Sequence, residues 1–567
     1  YNMSSIYDKS SLVLIPSGTK TSKVFSQKPT NGDGDFDFTR STAATRVNAD
    51  GNIEKETSNL LLQSNTFDST WVLNNSSITG GQSGYNGSND AWLFNSSVGY
   101  IYQSGLGSVS GVHTISVYVK AGTAQGLRIR VDQASDANYI IDLSDGSLIS
   151  EGSISVKSTS IGAGWYRMEL VFLANTITNI QFRITDLTGA TSSGTAYIQD
   201  AQLEQGLVAR DYIETTTTAL YGGITDNVPR LDYTDSSCPA LLLEPQRFNA
   251  IDSSEYAGAW SAIDSNITKT ENATTSPEGV NNAVKLEGLT TSASNQIVNF
   301  GATLLDGVNV VGKTYTASVY IKPVNPSDVG DDIYLSIQRS NGDYEGLNVT
   351  FEIDSADWKR YDLTYTFTGA GAGDQVGASF KILRNSTTID DIYIWGVQLE
   401  EGSYATSYIP TYGTSVTRNN DETNVTGLQS KGILSSTQGT MFFHITDIQG
   451  TAVVFNAQTA NNLSYALRFV IRDTGFTTYQ RINNVQTTIR TDSLSLSEWK
   501  IAMSWNGTNL ITSLNGTSYI DTIDASISSQ LDKIARVNPQ AISVTTNQIL
   551  VFPTQLTEAE LNDLTTI

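Results

Sequence analysis

Ser116-Val117-Tyr118-Val119-Lys120 and Ser318-Val319-Tyr320-Ile321-Lys322 are two copies of one pattern in a single chain. Each alternates β-branched or aromatic residues with polar ones, which predicts a half-buried strand. Moving outward from this pair, further matches appear in the same order. Trp165-Tyr166-Arg167 answers Trp358-Lys359-Arg360. Tyr197, Gln202-Leu203-Glu204 and Tyr212 find their partners 196 residues on, at Tyr393, Gln398-Leu399-Glu400 and Tyr408. Upstream, Trp71 answers Trp260, and the run Leu60-Leu61-Leu62-Gln63 is paired with Leu241-Leu242-Leu243-Glu244. The earlier pairs drift in offset, as loop insertions make them. A repeat this long is a duplicated domain and not a solenoid unit. Its length and strand spacing suit two packed antiparallel sheets, a jelly roll. The copies are assigned to 58–215 and 241–415.

The remaining chain divides into an N-terminal β segment (1–57), a connector (216–240) and a third domain (416–567). In the last, Met441-Phe442-Phe443-His444-Ile445 reads as a buried strand. Trp499-Lys500-Ile501-Ala502-Met503-Ser504-Trp505 alternates and runs into Asn506-Gly507. A hairpin follows through Asn515-Gly516, which suggests a second type of sandwich. Asp50-Gly51, Asn86-Gly87 and Asn341-Gly342 mark further tight turns, with Asp50-Gly51 read as type I′. The one predicted helix is terminal: Thr557-Glu558-Ala559-Glu560 is a capping box leading into Leu561 and Leu564. The fold class is all-β, built from tandem antiparallel β-sandwiches.

Composition excludes several functions. The 567 residues carry 34 Lys+Arg and 57 Asp+Glu, a formal charge of −23. That balance repels phosphate backbones, so no nucleic-acid partner is expected. No run approaches the ~18 apolar residues of a membrane span, so no membrane insertion is expected. The single cysteine, Cys238, permits no intrachain disulfide and no cysteine-based metal cluster. The chain opens Tyr1-Asn2-Met3 without a signal-peptide pattern, so its start is either processed or lies upstream.

Three stretches carry a resemblance: Phe38-Thr39-Arg40 through Asn52-Ile53-Glu54; Asn227-Val228-Pro229-Arg230-Leu231-Asp232-Tyr233 with Leu241 through Arg247; and Trp395 through Gly402 with Thr406-Ser407-Tyr408-Ile409-Pro410-Thr411. Together they resemble the modular virion proteins of tailed bacteriophages, fibre or decoration proteins with carbohydrate-binding-module-like jelly rolls. The C-terminal domain resembles a laminin-G or concanavalin-like sandwich. The resemblance implies a non-catalytic structural protein at the virion surface, in a tail fibre, head fibre or capsid decoration. The N-terminal segment would dock to other virion proteins and the outer sandwiches would meet host-surface polysaccharide. Fibres of this kind imply a homotrimer. The alternatives are a purely structural cement of capsid or tail, a polysaccharide depolymerase and a secreted bacterial adhesin.

Glycan binding needs exposed aromatic faces beside polar groups. The candidates are aromatics without a counterpart in the other copy: Trp92, Tyr100 and Tyr102 in the first, Trp395 and Tyr404 in the second. No cofactor is required. A structural Ca²⁺ is considered at Asp33 and Asp35, in the alternating run Asn31-Gly32-Asp33-Gly34-Asp35, and at Asp200, which faces Gly396 across the repeat. Asn48, Asp50 and Asn52 alternate too, and there a hairpin turn is preferred. Two histidines, His113 and His444, fall in different domains, and the doublets Glu400-Glu401 and Asp390-Asp391 read as strand-edge or loop charges. No catalytic residue is assigned.

Overall fold

The computed structural model describes residues 3–106, 109–133, 137–151, 154–261, 263–302, 305–339, 345–370, 377–450, 452–472, 475–494, 496, 498–536 and 542–566. The Asn341-Gly342 turn lies outside them. Antiparallel sheets make up nearly all of the fold.

The C-terminal sandwich draws on three separated stretches. Leu12–Leu14 pairs with Ser543–Phe552. Arg230–Asp232 and Ala240–Leu243 extend the same sheet, which continues through Gln438–Gln449, Glu498–Asn506, Asn509–Leu514 and Thr517–Thr522. Phe36–Thr39 joins the opposite sheet beside Glu422–Thr426. Residues 1–57 were set apart in the sequence as an N-terminal segment, and 216–240 as a connector. Leu12–Leu14, Thr19–Lys20, Lys23–Val24, Phe36–Thr39 and Arg230–Asp232 belong to this host sandwich, while Arg46–Val47 pairs with Ile53–Glu54 and Leu220–Gly222 with Thr57–Asn59 in small separate sheets; the two repeated modules leave and re-enter the sandwich. The core between the sheets takes Leu12, Phe36, Phe38, Leu241 and Leu243 together with Phe443, Trp499, Trp505, Val544 and Ile549.

The terminal helix Glu558–Thr565 forms as expected. Thr557 accepts from Glu560 N at 3.3 Å while the Glu560 carboxylate accepts from Thr557 N at 2.8 Å. A second helix, Met3–Lys9, was not predicted. Ile6 fixes it by packing on Leu550, Phe552 and Leu561, and Lys9 pairs with Glu560.

The duplication is visible bond by bond. In both copies the strand that carries the Ser-Val-Tyr pattern, Ser110–Ala121 or Thr314–Pro323, lies between two partners. In both, Gln donates to the Glu two residues on, at 2.7 Å (Gln202 to Glu204, Gln398 to Glu400), and accepts from the returning backbone at 2.8 Å (Ile213 N, Ile409 N). Thr114 and Thr316 donate to Gly206 and Gly402 carbonyls. The strand is therefore covered on both faces and is not half-buried, because the chain returning from each module folds over its polar side. Glu400 is accordingly a buried clamp on Thr406 and not a strand-edge charge.

The repeat begins later than the leucine runs suggested. Asn59 and Asn249 hold equivalent places, each bridging the entering strand to the last one. Leu60–Gln63 thus matches 250–253, and Leu241-Leu242-Leu243 is a strand of the host sandwich paired with residues 544–546.

Two buried ionic centres lock the units together. In the first, Arg40, Arg230, Arg418 and Arg536 surround Asp421 and Glu244. Arg40 reaches Asp421 at 3.1 Å, Arg230 and Arg418 reach Glu244 at 2.6 Å, and Arg230 also pairs with Asp421. Arg536 donates to the Glu244 and Asp421 carbonyls at 3.0 and 2.6 Å. Burial pushes the Glu244 carboxyl up, but Arg418 and Arg230 outweigh it and hold the group well below the usual range. In the second centre, Lys55 sits 2.8 Å from both Glu255 and Glu278, and Arg210 of the first copy pairs with Glu278 of the second. Gly111 packs directly under the Tyr412 carbonyl: a Cβ there would lie 1.6 Å from the oxygen, and its φ of +84° suits glycine.

Candidate functional site

Strand alternation decides which aromatics reach solvent. In Ala91–Ser104, Ile101 points into the first module's core and is fully buried, so Tyr100 and Tyr102 point outward. Their rings lie 5.7 Å apart. The sheet register builds the surface around them. Tyr100 faces Arg183, which faces Arg128, which faces Ile140. Tyr102 faces Gln181, which faces Arg130, which faces Asn138. Arg183 lies over the Tyr100 ring at 4.2 Å and donates from Nε to Gln181 at 2.7 Å. Arg130 pairs with Asp132 at 3.3 Å, and Gln181 also donates to Asp132, at 3.2 Å. Arg128 donates to the Gly189 carbonyl at 2.8 Å, which fixes the loop at one rim of the face. The result is a partly exposed sheet face of two tyrosines, three arginines and amide side chains. Sequence reading found the tyrosines; the arginines were missed, although Arg128-Ile129-Arg130 shows the alternation.

The other candidates go elsewhere. Trp92 is partly buried, edge-on to Phe67, and donates to Asn65 O at 2.9 Å. Trp395 is a correction: it is completely buried among Ile53, Ala283 and Tyr408, because both faces of Ile392–Glu401 are covered. Tyr404 is also a correction. It is 9% exposed, with Arg247 over its ring at 5.3 Å. It lines a cleft of about 1150 Å³ between the second module and the host sandwich, together with Tyr233, Trp358 and Asp447. The repeated aromatics are structural as well: Tyr118 and Tyr320 lie under Arg167 and Arg360.

The carboxylates considered for Ca²⁺ do not converge. Asp35 accepts from Ser26 N at 2.9 Å, and Asp33 N donates to Asn31 at 3.1 Å within its own turn. No group of three or more His, Cys, Asp or Glu able to hold a metal occurs among the described residues. Asp50-Gly51 is a correction of turn type. Only Gly51 has positive φ (+79°), and Asn48 accepts from Asp50 N and Asn52 N at 3.0 Å, so a type I turn ends in a left-handed glycine. His113 contacts the Gly111 carbonyl at 3.1 Å, and His444 lies 2.7 Å from Glu498, in separate units.

Asp200 and Gly396 occupy the same β-bulge. Each stands opposite the central Val of the Ser-Val-Tyr pattern, with φ of +52° and +65°. Burial, opposed by a 2.9 Å hydrogen bond from Tyr85, pushes the Asp200 carboxyl up to about 6. The unfolded value is about 3.9. A group raised on folding binds its proton more tightly in the native state, so its cost is absent below about pH 4, grows from pH 4 to 6 and is complete above. Asp200→Asn, which tolerates the left-handed backbone, is expected to gain about 1–2 kcal/mol at pH 7.5 and nothing at pH 4. Denaturant melts at the two pH values check this.

No protein-family model matches the chain, and no curated protein does. Several solved structures resemble parts of it. One is the binding domain of botulinum neurotoxin DC, solved with rat synaptotagmin II: 12% identity, 26% of this chain, 40% of that one, TM-score 0.22. Another is domain 4 of AbnA, an extracellular arabinanase of Geobacillus stearothermophilus, in complex with arabinotriose: 13% identity, 29% and 84% coverage, TM-score 0.22. A third is the CBM2 module of the evolved Dit protein of Lactobacillus casei BL23 phage J-1: 10% identity, 24% and 71% coverage, TM-score 0.21. The match spans well under half of the neurotoxin domain. Overlaps this partial leave the functional reading to the geometry, which defines an all-β protein of joined sandwiches with a partly exposed tyrosine-arginine sheet face on its first module.

Proposed function

We propose that this protein is a non-catalytic, glycan-adhering structural protein of a bacteriophage particle, displayed at the virion surface in a fibre or decoration. The observation that carries glycan binding is the partly exposed face of the first module, where Tyr100 and Tyr102 stand beside Arg183, Arg128 and Asn138. Aromatic rings flanked by side-chain donors are the chemistry that sugars require. The buried ionic centres supply the second half of the reading. They join host sandwich and modules into one stiff body, which suits a scaffold that presents a surface. The carboxylates singled out in the sequence are occupied as clamps: Glu400 on Thr406, Asp390 on Thr290 and Asp391 on Gly288. Attachment to other virion proteins, and a trimer, rest on the sequence resemblance. Many weak sites per particle would add up through avidity.

The test is binding of the full chain to immobilised bacterial surface polysaccharides. Tyr102→Ala is expected to weaken binding at least tenfold, about 1.4 kcal/mol, with the melting temperature unchanged. Binding that survives this substitution and Tyr100→Ala places the contact elsewhere. No binding to any polysaccharide favours a cementing role.

A further inference from the structure

The open face carries more positive charge than a neutral sugar needs. Arg128 and Arg183 are directly opposed across neighbouring strands, an arrangement that costs stability in a sheet. Arg130 stands beside them on the same face. Asp132 pairs with Arg130 and offsets one of the three charges. The chain as a whole is strongly acidic, yet among the described residues no carboxylate pairs with Arg128 or Arg183. Arg183 uses Nε for Gln181, and its two terminal nitrogens donate to no described residue. Burial and the neighbouring Arg130 and Arg128 lower its pKa, the signature of cations held together.

The duplicated fold provides an internal control. The corresponding face of the second module runs Asn348, Ser336, Lys381, Asn299 in one row and Thr350, Tyr334, Leu383, Gln296 in the next. Neither row contains an arginine, and Lys381 is buried. The same architecture therefore forms without the arginine cluster, so the fold does not require it.

We propose that the first module's open face takes an acidic saccharide, with a sugar carboxylate seated on the guanidinium forks of Arg183 and Arg128 and the ring beside Tyr102. A planar carboxylate matches the guanidinium fork with two parallel hydrogen bonds. This rests on the glycan-binding reading above and names its substrate class.

The experiment is a glycan array probed with the full chain, carrying uronate, sialylated and sulfated oligosaccharides beside their neutral or carboxyl-reduced counterparts. At least one carboxylated glycan is expected to bind ten times more tightly than its neutral counterpart. That preference should fall several-fold between 50 and 500 mM salt, as screening demands, and at least tenfold in Arg128→Gln/Arg183→Gln, with the variant still folded by circular dichroism. Equal binding of neutral counterparts, unaffected by the double variant, overturns the acidic class and leaves glycan binding standing. A preference for sulfated over carboxylated glycans overturns the carboxylate assignment. Silence across the whole array overturns the glycan reading itself.

Discussion

Asp421→Asn is expected to destabilise the chain by about 3–5 kcal/mol, the cost of leaving buried charge unpaired. Asp421 is completely buried and accepts from Arg40, from Arg230 and, at 2.8 Å, from Glu244 N. Three arginines converge here on two carboxylates, and a fourth, Arg536, caps the backbone carbonyls of the same two residues. The substitution keeps the shape but removes one of the two negative charges, and the new amide turns donors toward guanidinium donors. Urea melts followed by tryptophan fluorescence read the effect, since Trp499 and Trp505 report on the host core. A loss below 1 kcal/mol would show that the centre does not hold the sandwiches together. The network also joins the stretches singled out in the sequence: Arg40, Arg230, Glu244 and Ser407 each lie in one of them, and all meet here.

The second large effect is expected from Asn59→Ala and Asn249→Ala, each at about 3 kcal/mol or more. Asn59 donates to the Ala201 and Ile213 carbonyls at 3.0 and 2.8 Å and accepts from Leu61 N and Leu203 N at 3.1 Å. Asn249 repeats all four bonds, to Val397, Ile409, Ile251 and Leu399. Alanine orphans four buried backbone groups, and each orphan costs about 1–3 kcal/mol. Because the geometry is duplicated, the two losses should agree within about 1 kcal/mol. Calorimetry of the single variants measures both. A clear loss in one copy alone would mean that the matched hydrogen bonds do unequal work.

The late part of the repeat was legible because Gln, Glu, Tyr and Trp each perform a fixed task and cannot be exchanged freely. Its start was misread because a leucine run reports burial and not position. Leu241–Leu243 is apolar because it is buried in the host sheet, whereas Asn59 and Asn249 are single polar letters whose role appears only through their bonds. The discontinuous host sandwich was hidden for a related reason. Leu12–Leu14 looks the same whichever strand it joins, and its partner Val551 lies at the far end of the chain. Tyr100 and Tyr102 were singled out for lacking a counterpart in the second copy, and their phase opposite to Ile101, visible in the alternation, is what turns them outward. The same criterion failed at Trp395, whose strand has both faces covered.

The proposed role requires a stiff assembly that presents the first module's tyrosine-arginine face outward from the particle. The most direct measurement is a cryo-EM reconstruction of the particle carrying this chain, into which the locked sandwiches fit as one body. The account predicts Tyr100, Tyr102 and Arg183 open to solvent, with contacts to other subunits made elsewhere. A map in which that face is covered by a neighbouring subunit would contradict it and make the protein a cement.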